Sequence, residues 1–397
     1  MFDLFRQRPQ TVAKWHQLYG RFVQIAPGQV SVSDVNAMRD LYSTSKRNPK
    51  SDYFDHFIYH NARSIFAEKQ HQDHQHKRGL LSSFYQATSV YKPDVQQPLR
   101  DRVLAAVIRI QEAISQDVSG NRIVDVFPII NHFAWDNTTA LVLGPHHCSQ
   151  AVQGDESDRD LLARLKNIEL WGAVKYNLPL IFHAMKLAMA VYTRSTKYFS
   201  AEHDLDTWAM QRIQLAISDP KVSSNRSIVQ IILDLRRSGR SLSDDYLASE
   251  VIDNLYAGQA TVTVALTYVV YHLSRNPYWQ SMVQKELDDL RQESDGLPDW
   301  TALNKAPTLE ACVLLLGLPH VITTLHNRLP GSEGSLRGFL PSCNCLTGSQ
   351  LLASARVSSS LTQSRLDFHP PHLPSVYSTT TIYRHLPPYE GARTGPL

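Results

Sequence analysis

The stretch Ser243-Asp-Asp-Tyr-Leu-Ala-Ser-Glu-Val-Ile-Asp-Asn-Leu-Tyr-Ala257-Gly-Gln-Ala-Thr261-Val-Thr-Val-Ala-Leu-Thr-Tyr-Val-Val-Tyr-His-Leu-Ser-Arg-Asn276 decides the fold class. Ser243 can cap a helix, Asp244 and Asp245 suit its positive first turn, and Asn276 followed by Pro277 stops it. At about 1.5 Å per residue the run would extend roughly 50 Å, longer than most domains are wide. A helix of that length needs partners on several sides. The chain around it is therefore expected to be mostly helical.

Working outward, Pro277 opens a further helix through residue 290. Upstream, Val103, Val107 and Ile110 share one face of a helix over 94–114. Val126, Ile129, Ile130, Phe133 and Trp135 lead into another that ends near Gly144. Residues 204–217 and 228–235 carry the same period. Near the start, 22–32 read as a hairpin turning at Pro27-Gly28, and Ser33 and Asp34 can cap a helix through residue 42. The predicted fold is mainly α with a small β-sheet, without internal repeats.

Composition narrows the function classes. With 397 residues, 43% hydrophobic and 19% charged, the chain can bury a large core. A net charge of +3 gives no field that argues for nucleic acid. Cys148, Cys312, Cys343 and Cys345 form neither a zinc frame nor a dense disulfide scaffold, which implies a reducing compartment. No signal peptide or anchoring helix opens the chain. The most apolar stretch, 178–192, is interrupted by His183 and Lys186, so at most it would lie on a membrane surface.

Two constellations carry chemistry. The first is His71-Gln-Asp-His74-Gln-His76-Lys77-Arg78. His74 and Arg78, four apart on a helix, share a face and would suit a dicarboxylate ligand. A solvated helix start, or a metal site using His71, His74 and His76, are the other readings. The second is Ala257-Gly258-Gln-Ala260-Thr261-Val-Thr263. Glycine costs about 1 kcal/mol in a helix interior, and the β-branched run after Ala260 adds strain. The small residues would let a flat ligand approach, and the Thr261 hydroxyl could bond the carbonyl one turn back or a bound species. The alternative is a small-residue crossing point between packed helices.

Taken in order, these pieces resemble the cytochrome P-450 superfamily, and in particular filamentous-fungal monooxygenases of secondary metabolism. The resemblance runs from Tyr19-Gly-Arg-Phe-Val-Gln-Ile-Ala-Pro-Gly28 through the His74/Arg78 helix and Tyr271-His-Leu-Ser-Arg-Asn-Pro277 to Ala306-Pro-Thr-Leu-Glu-Ala-Cys-Val313. It implies a haem cofactor, with His74 and Arg78 on the propionates. Ala257 and Gly258 would lie against the ring, and Thr261 would relay protons to bound dioxygen. It also implies an apolar small-molecule substrate and electrons from NADPH-cytochrome P-450 reductase. The implied location is cytoplasmic or peripheral to the endoplasmic reticulum, without a transmembrane segment in this chain.

Departures from the pattern are equally specific. The family places an acid before the threonine; this chain has Ala260. A Glu-x-x-Arg pair should fall near 315 and 318, which are Leu315 and Leu318. The thiolate loop Phe-x-x-Gly-x-x-x-Cys-x-Gly is absent. Phe339-Leu-Pro-Ser342-Cys-Asn-Cys345-Leu-Thr-Gly348 is similar only superficially, since Ser342 replaces a glycine and the cysteine arrives one place early. From residue 314 onward lysine and tryptophan vanish, and only Glu333, Asp367 and Glu390 are acidic. A regulatory tail is one reading; a stretch outside the reading frame of the preceding domain is the other, and the abrupt change favours it.

The expectation is thus an incomplete cytochrome P-450 fold over 1–313 and a low-order tail over 314–397, inactive for want of its thiolate. A non-catalytic helical protein that binds a small molecule or a partner is the rival.

Overall fold

The computed structural model describes residues 8–43, 48–86, 89, 92–116, 124–169, 174–175, 178–219, 227–290, 296–316 and 382–383. The elements are α1 (Arg8–Tyr19), β1 (Phe22–Ala26), β2 (Gln29–Val32), α2 (Val35–Leu41), a 3-10 turn (Asp52–Phe57), α3 (His71–Leu80), α4 (Pro93–Ser115) and α5 (Phe127–Leu143). They continue with α6 (Glu156–Glu169), α7 (Pro179–Thr193), α8 (Lys197–Ser218), α9 (Ile228–Arg237) and α10 (Asp244–Arg275). Last come α11 (Pro277–Asp288), α12 (Trp300–Leu303), α13 (Pro307–Leu316) and β3 (Ile382–Tyr383). They fall into two units, one of Met1–Gly79, Arg164–His203 and Pro371–Leu397, the other of Leu80–Ala163 and Asp204–Pro370.

In the first unit, β1 and β2 pair antiparallel with Phe22 opposite Val32. Gly28 turns the chain at φ +71°, a conformation glycine adopts without a Cβ penalty. The backbone of β3 adds to β2, with Gln29 opposite Tyr383. Asp34 caps α2 by accepting from the Ala37 amide at 2.9 Å. On α7, Leu180, Leu187, Val191 and Tyr192 are exposed and only Phe182 is buried. Among the described residues no helix is long and apolar enough to cross a membrane.

The second unit is organised by α10. Ser243 Oγ accepts from the Tyr246 amide at 3.1 Å, and Asn276 closes the helix before Pro277 begins α11. From Tyr246 to Asp253 every residue of α10 is buried, so partners surround it there. Beyond Leu255 the buried set is Thr263, Leu266, Thr267, Val269 and Leu273, one face of the helix. That face joins a core with Val103, Ile130, Phe133, Trp300 and Leu309. Its most extensive neighbour is α5.

Helix α8 begins at Lys197, earlier than the period over 204–217 indicates. Several helices, among them α1, α6 and the short α12, escape the periodicity reading. For α6 a signal was present: Asp155 Oδ1 accepts from the Ser157 and Asp158 amides at 2.9 and 3.3 Å, and Glu156 and Asp158 sit in its first turn. The tail expected over 314–397 lies outside the described residues except for 314–316 and the β3 backbone.

Candidate functional site

The centre of α10 separates two kinds of surface. Ala257 and Thr261, one turn apart, are exposed side by side. Thr261 Oγ1 donates to the Ala257 carbonyl at 2.7 Å, the local bond that a threonine makes inside a helix when no other acceptor claims it. Gly258 faces elsewhere. A Cβ built on it would lie 2.6 Å from Thr138 Cγ2 and 2.7 Å from Thr138 Oγ1, on α5. Its missing side chain is therefore accounted for by the helix crossing, the second of the two readings the sequence left open.

Beside that crossing, Asn131 Oδ1 accepts from Gln259 Nε2 and, at 3.2 Å, from Thr263 Oγ1. Thr263 sits on the Gln259 carbonyl at 2.7 Å. Asn131 is buried, so these bonds satisfy an amide that would otherwise be costly to remove from water. Sequence reasoning missed Asn131 and Thr138, because both act on residues more than a hundred positions away.

On α3, His74 is half-buried and Arg78 exposed, and neither side chain makes a hydrogen bond or ion pair among the described residues. Lys77 between them is engaged, with Glu68 Oε2 at 2.6 Å and the Arg63 carbonyl at 2.7 Å. Burial, with the positive charges of Lys50 and Arg78, holds the His74 imidazole below its ordinary value. The helix thus keeps one structural cation and leaves two nitrogen donors free in a positive setting, which suits an anion of two carboxylates. His74 and Arg78 belong to the first unit, while Ala257, Gly258 and Thr261 belong to the second. Among the described residues no cluster of three or more His, Cys, Asp or Glu could hold a metal ion.

The two described cysteines are both buried and free of disulfides. Cys148 is buried, its thiol pushed up by burial and donating to the Pro145 carbonyl at 3.2 Å. Cys312 lies in the core, pushed up by burial and by Glu286. Both environments favour the protonated thiol. Cys343 and Cys345 lie outside the described residues, as does Leu318.

Residues 2–314 match the family model of cytochrome P-450. The chain belongs to this family. It is 74% identical over 314 residues to the cytochrome P-450 monooxygenase FGM1 of Gibberella zeae, covering 79% of this chain and 62% of that protein. A second relative, the cytochrome P-450 monooxygenase ORF11 of Penicillium roqueforti, is 24% identical over 368 residues, covering 86% and 72%. The chain thus spans about three-fifths of the length of the 74% identical relative. Among solved structures, a crystallised cytochrome P-450 superposes with a TM-score of 0.59 at 13% identity, over 79% of this chain and 69% of its own. That likeness speaks for the fold alone. A mainly α architecture with a small sheet, expected from the sequence, is what the cytochrome P-450 fold supplies here.

Proposed function

We propose that residues 1–313 are the N-terminal part of a haem-thiolate monooxygenase domain that oxidises an apolar small molecule in fungal secondary metabolism. Residues 314–397, on this reading, do not belong to the domain. The chain as written would form no haem-thiolate centre. The observation that carries the assignment is Thr261, exposed beside Ala257 at the middle of the longest helix of a chain in this family. His74 and Arg78 would hold the haem propionates, and Ala257 with Thr261 would border the ring. Gly258 would serve by letting α10 approach α5.

Haem, when bound with a thiolate, supplies dioxygen activation. The residues here set what reaches it. Thr261 Oγ1 holds its proton on the Ala257 carbonyl at 2.7 Å and would turn it toward a bound oxygen acceptor. Ala260 offers no carboxylate to reload that hydroxyl. Leu315 and Leu318 stand where the family's ion pair would be, and the described cysteines are buried thiols. Electrons would come from NADPH-cytochrome P-450 reductase at the endoplasmic-reticulum surface. Reduction of the haem-loaded chain under carbon monoxide tests the proposal. A spectrum without the thiolate signature is the expected result; a thiolate spectrum that Cys345→Ser abolishes would overturn the claim of inactivity. The same spectrum separates a haem protein from the non-catalytic helical binder, which would retain no haem band.

A further inference from the structure

The chain passes from α9 to α10 through Arg236-Arg237-Ser238-Gly239-Arg240-Ser241-Leu242-Ser243-Asp244-Asp245. Its three serines have different duties. Ser238 closes α9, its Oγ donating to the Leu235 carbonyl at 2.7 Å. Ser243 opens α10, its Oγ accepting from the Tyr246 amide at 3.1 Å. Ser241 lies between the two caps and takes part in neither. It is exposed, belongs to no helix or strand, and its hydroxyl makes no hydrogen bond among the described residues. An unused hydroxyl is thus presented on an open segment whose two ends are held by capped helices.

The charges around it are ordered along the chain. Arg236, Arg237 and Arg240 precede the hydroxyl; Asp244 and Asp245, three and four places after it, begin α10. Asp244 keeps 80% of its side chain exposed although it bonds Arg236 Nη1 at 2.7 Å. Arg236 is more enclosed: its Nε and Nη2 are shut off from water and have no acceptor. These two donors form one edge of the planar guanidinium, the fork that receives two oxygens of a single oxyanion. Arg240 is exposed and makes no ion pair among the described residues. We infer that Ser241 is a phosphorylation site, and that the phosphate, once formed, takes over Arg236 from Asp244. Acids three and four places past the hydroxyl form a charge pattern that a kinase with a basic substrate groove selects. In the transfer Ser241 Oγ attacks the γ-phosphorus of ATP, the bond to the bridging oxygen breaks and ADP leaves. The hydroxyl proton passes to a carboxylate base of the kinase. The phosphate carries about −1.5 to −2 charges against one on Asp244, so it is the stronger partner for the guanidinium. The exchange unties the start of α10 from the end of α9. The inference is independent of the haem assignment.

Incubating the full chain with an acid-directed protein kinase and ATP provides the test. The intact mass should rise by one phosphoryl group, which fragmentation places on Ser241. Ser241→Ala should abolish the gain, and Ser238→Ala should leave it. Phosphorus NMR then reads the docking. A phosphoserine in water has its second pKa at about 6. On the folded chain it should titrate lower than in a peptide of residues 234–247, by about 0.5 or more, because Arg236 favours the dianion. Arg236→Gln should return it to the peptide's value. If Arg236→Gln does not fold, the comparison of chain and peptide still decides. Failure of the kinase to modify Ser241, modification of another residue instead, or identical titration of chain and peptide would each overturn the inference.

Discussion

At position 258 the absence of a side chain is a statement about a distant threonine. Gly258→Ala would gain about 1 kcal/mol of helix propensity but drive a methyl into Thr138. Overpacking of this kind costs about 1–3 kcal/mol, so the variant should be less stable on balance. Thr138→Ala removes both close atoms, so the double variant should be more stable than the sum of the single changes. Denaturant titration of the four proteins measures the coupling, and strict additivity would sink the account. A second residue-scale expectation concerns pH. His132 is pushed down to about 4 by burial and by Arg109 and Arg159, and Arg109 Nη1 lies 3.1 Å from its Nδ1. Unfolding releases it to an ordinary histidine that binds a proton more readily. Stability is therefore full above about pH 6.5 and falls as pH drops toward about 4. His132→Gln should flatten that limb of the stability curve; an unchanged slope would exclude the histidine as its source. Thr261, His74 and Arg78 could be singled out from local spacing. Thr138 and Asn131 could not, because nothing in a one-dimensional string tells which residue will meet Gly258 or Gln259 across a helix crossing.

Helix ends proved legible at several places where capping chemistry is written beside them, though the Asp155 signal before α6 went unread. Ser243 and Asn276 bracket α10, and Asp34 starts α2. Where the amphipathic period is weak the reading failed, as at α1, whose buried side chains include Val12 but whose face is otherwise polar. The connection after α5 illustrates a different kind of support. Asp136, itself buried on that helix, accepts from two backbone amides of the following loop, at Ala151 and Val152, both buried. Asp136→Ala would strand those donors away from water, at about 2–5 kcal/mol. Asp136→Asn keeps one acceptor and should cost less. Equal unfolding midpoints for the two variants would show that the loop is held by something else.

For the whole molecule, one long capped helix sufficed to indicate a mainly α fold, and the order of weak motifs sufficed to indicate the family. Neither could reveal how burial is distributed. Helix α2 has no buried residue, whereas α5 is buried along nearly its whole length and α10 entirely from Tyr246 to Asp253. Amide exchange should follow that distribution. The α5 amides and those of α10 near Val251 should exchange last, with the global opening, and α2 and the exposed face of α7 should exchange early. Uniform protection across these elements would contradict it. The apolar face of α7 remains without a described partner, and nothing in the structure explains it.

The meeting of Gly258 and Thr138 also has a consequence in heredity. The two codons are far apart in the gene yet share one fate: a larger residue at 258 is a loss until position 138 has already shrunk. The permitted order of changes is therefore fixed, alanine or glycine at 138 first and a side chain at 258 second. A related chain that carries a side chain at the position of 258 should carry a smaller one at the position of 138, and lineages should record the substitutions in that sequence.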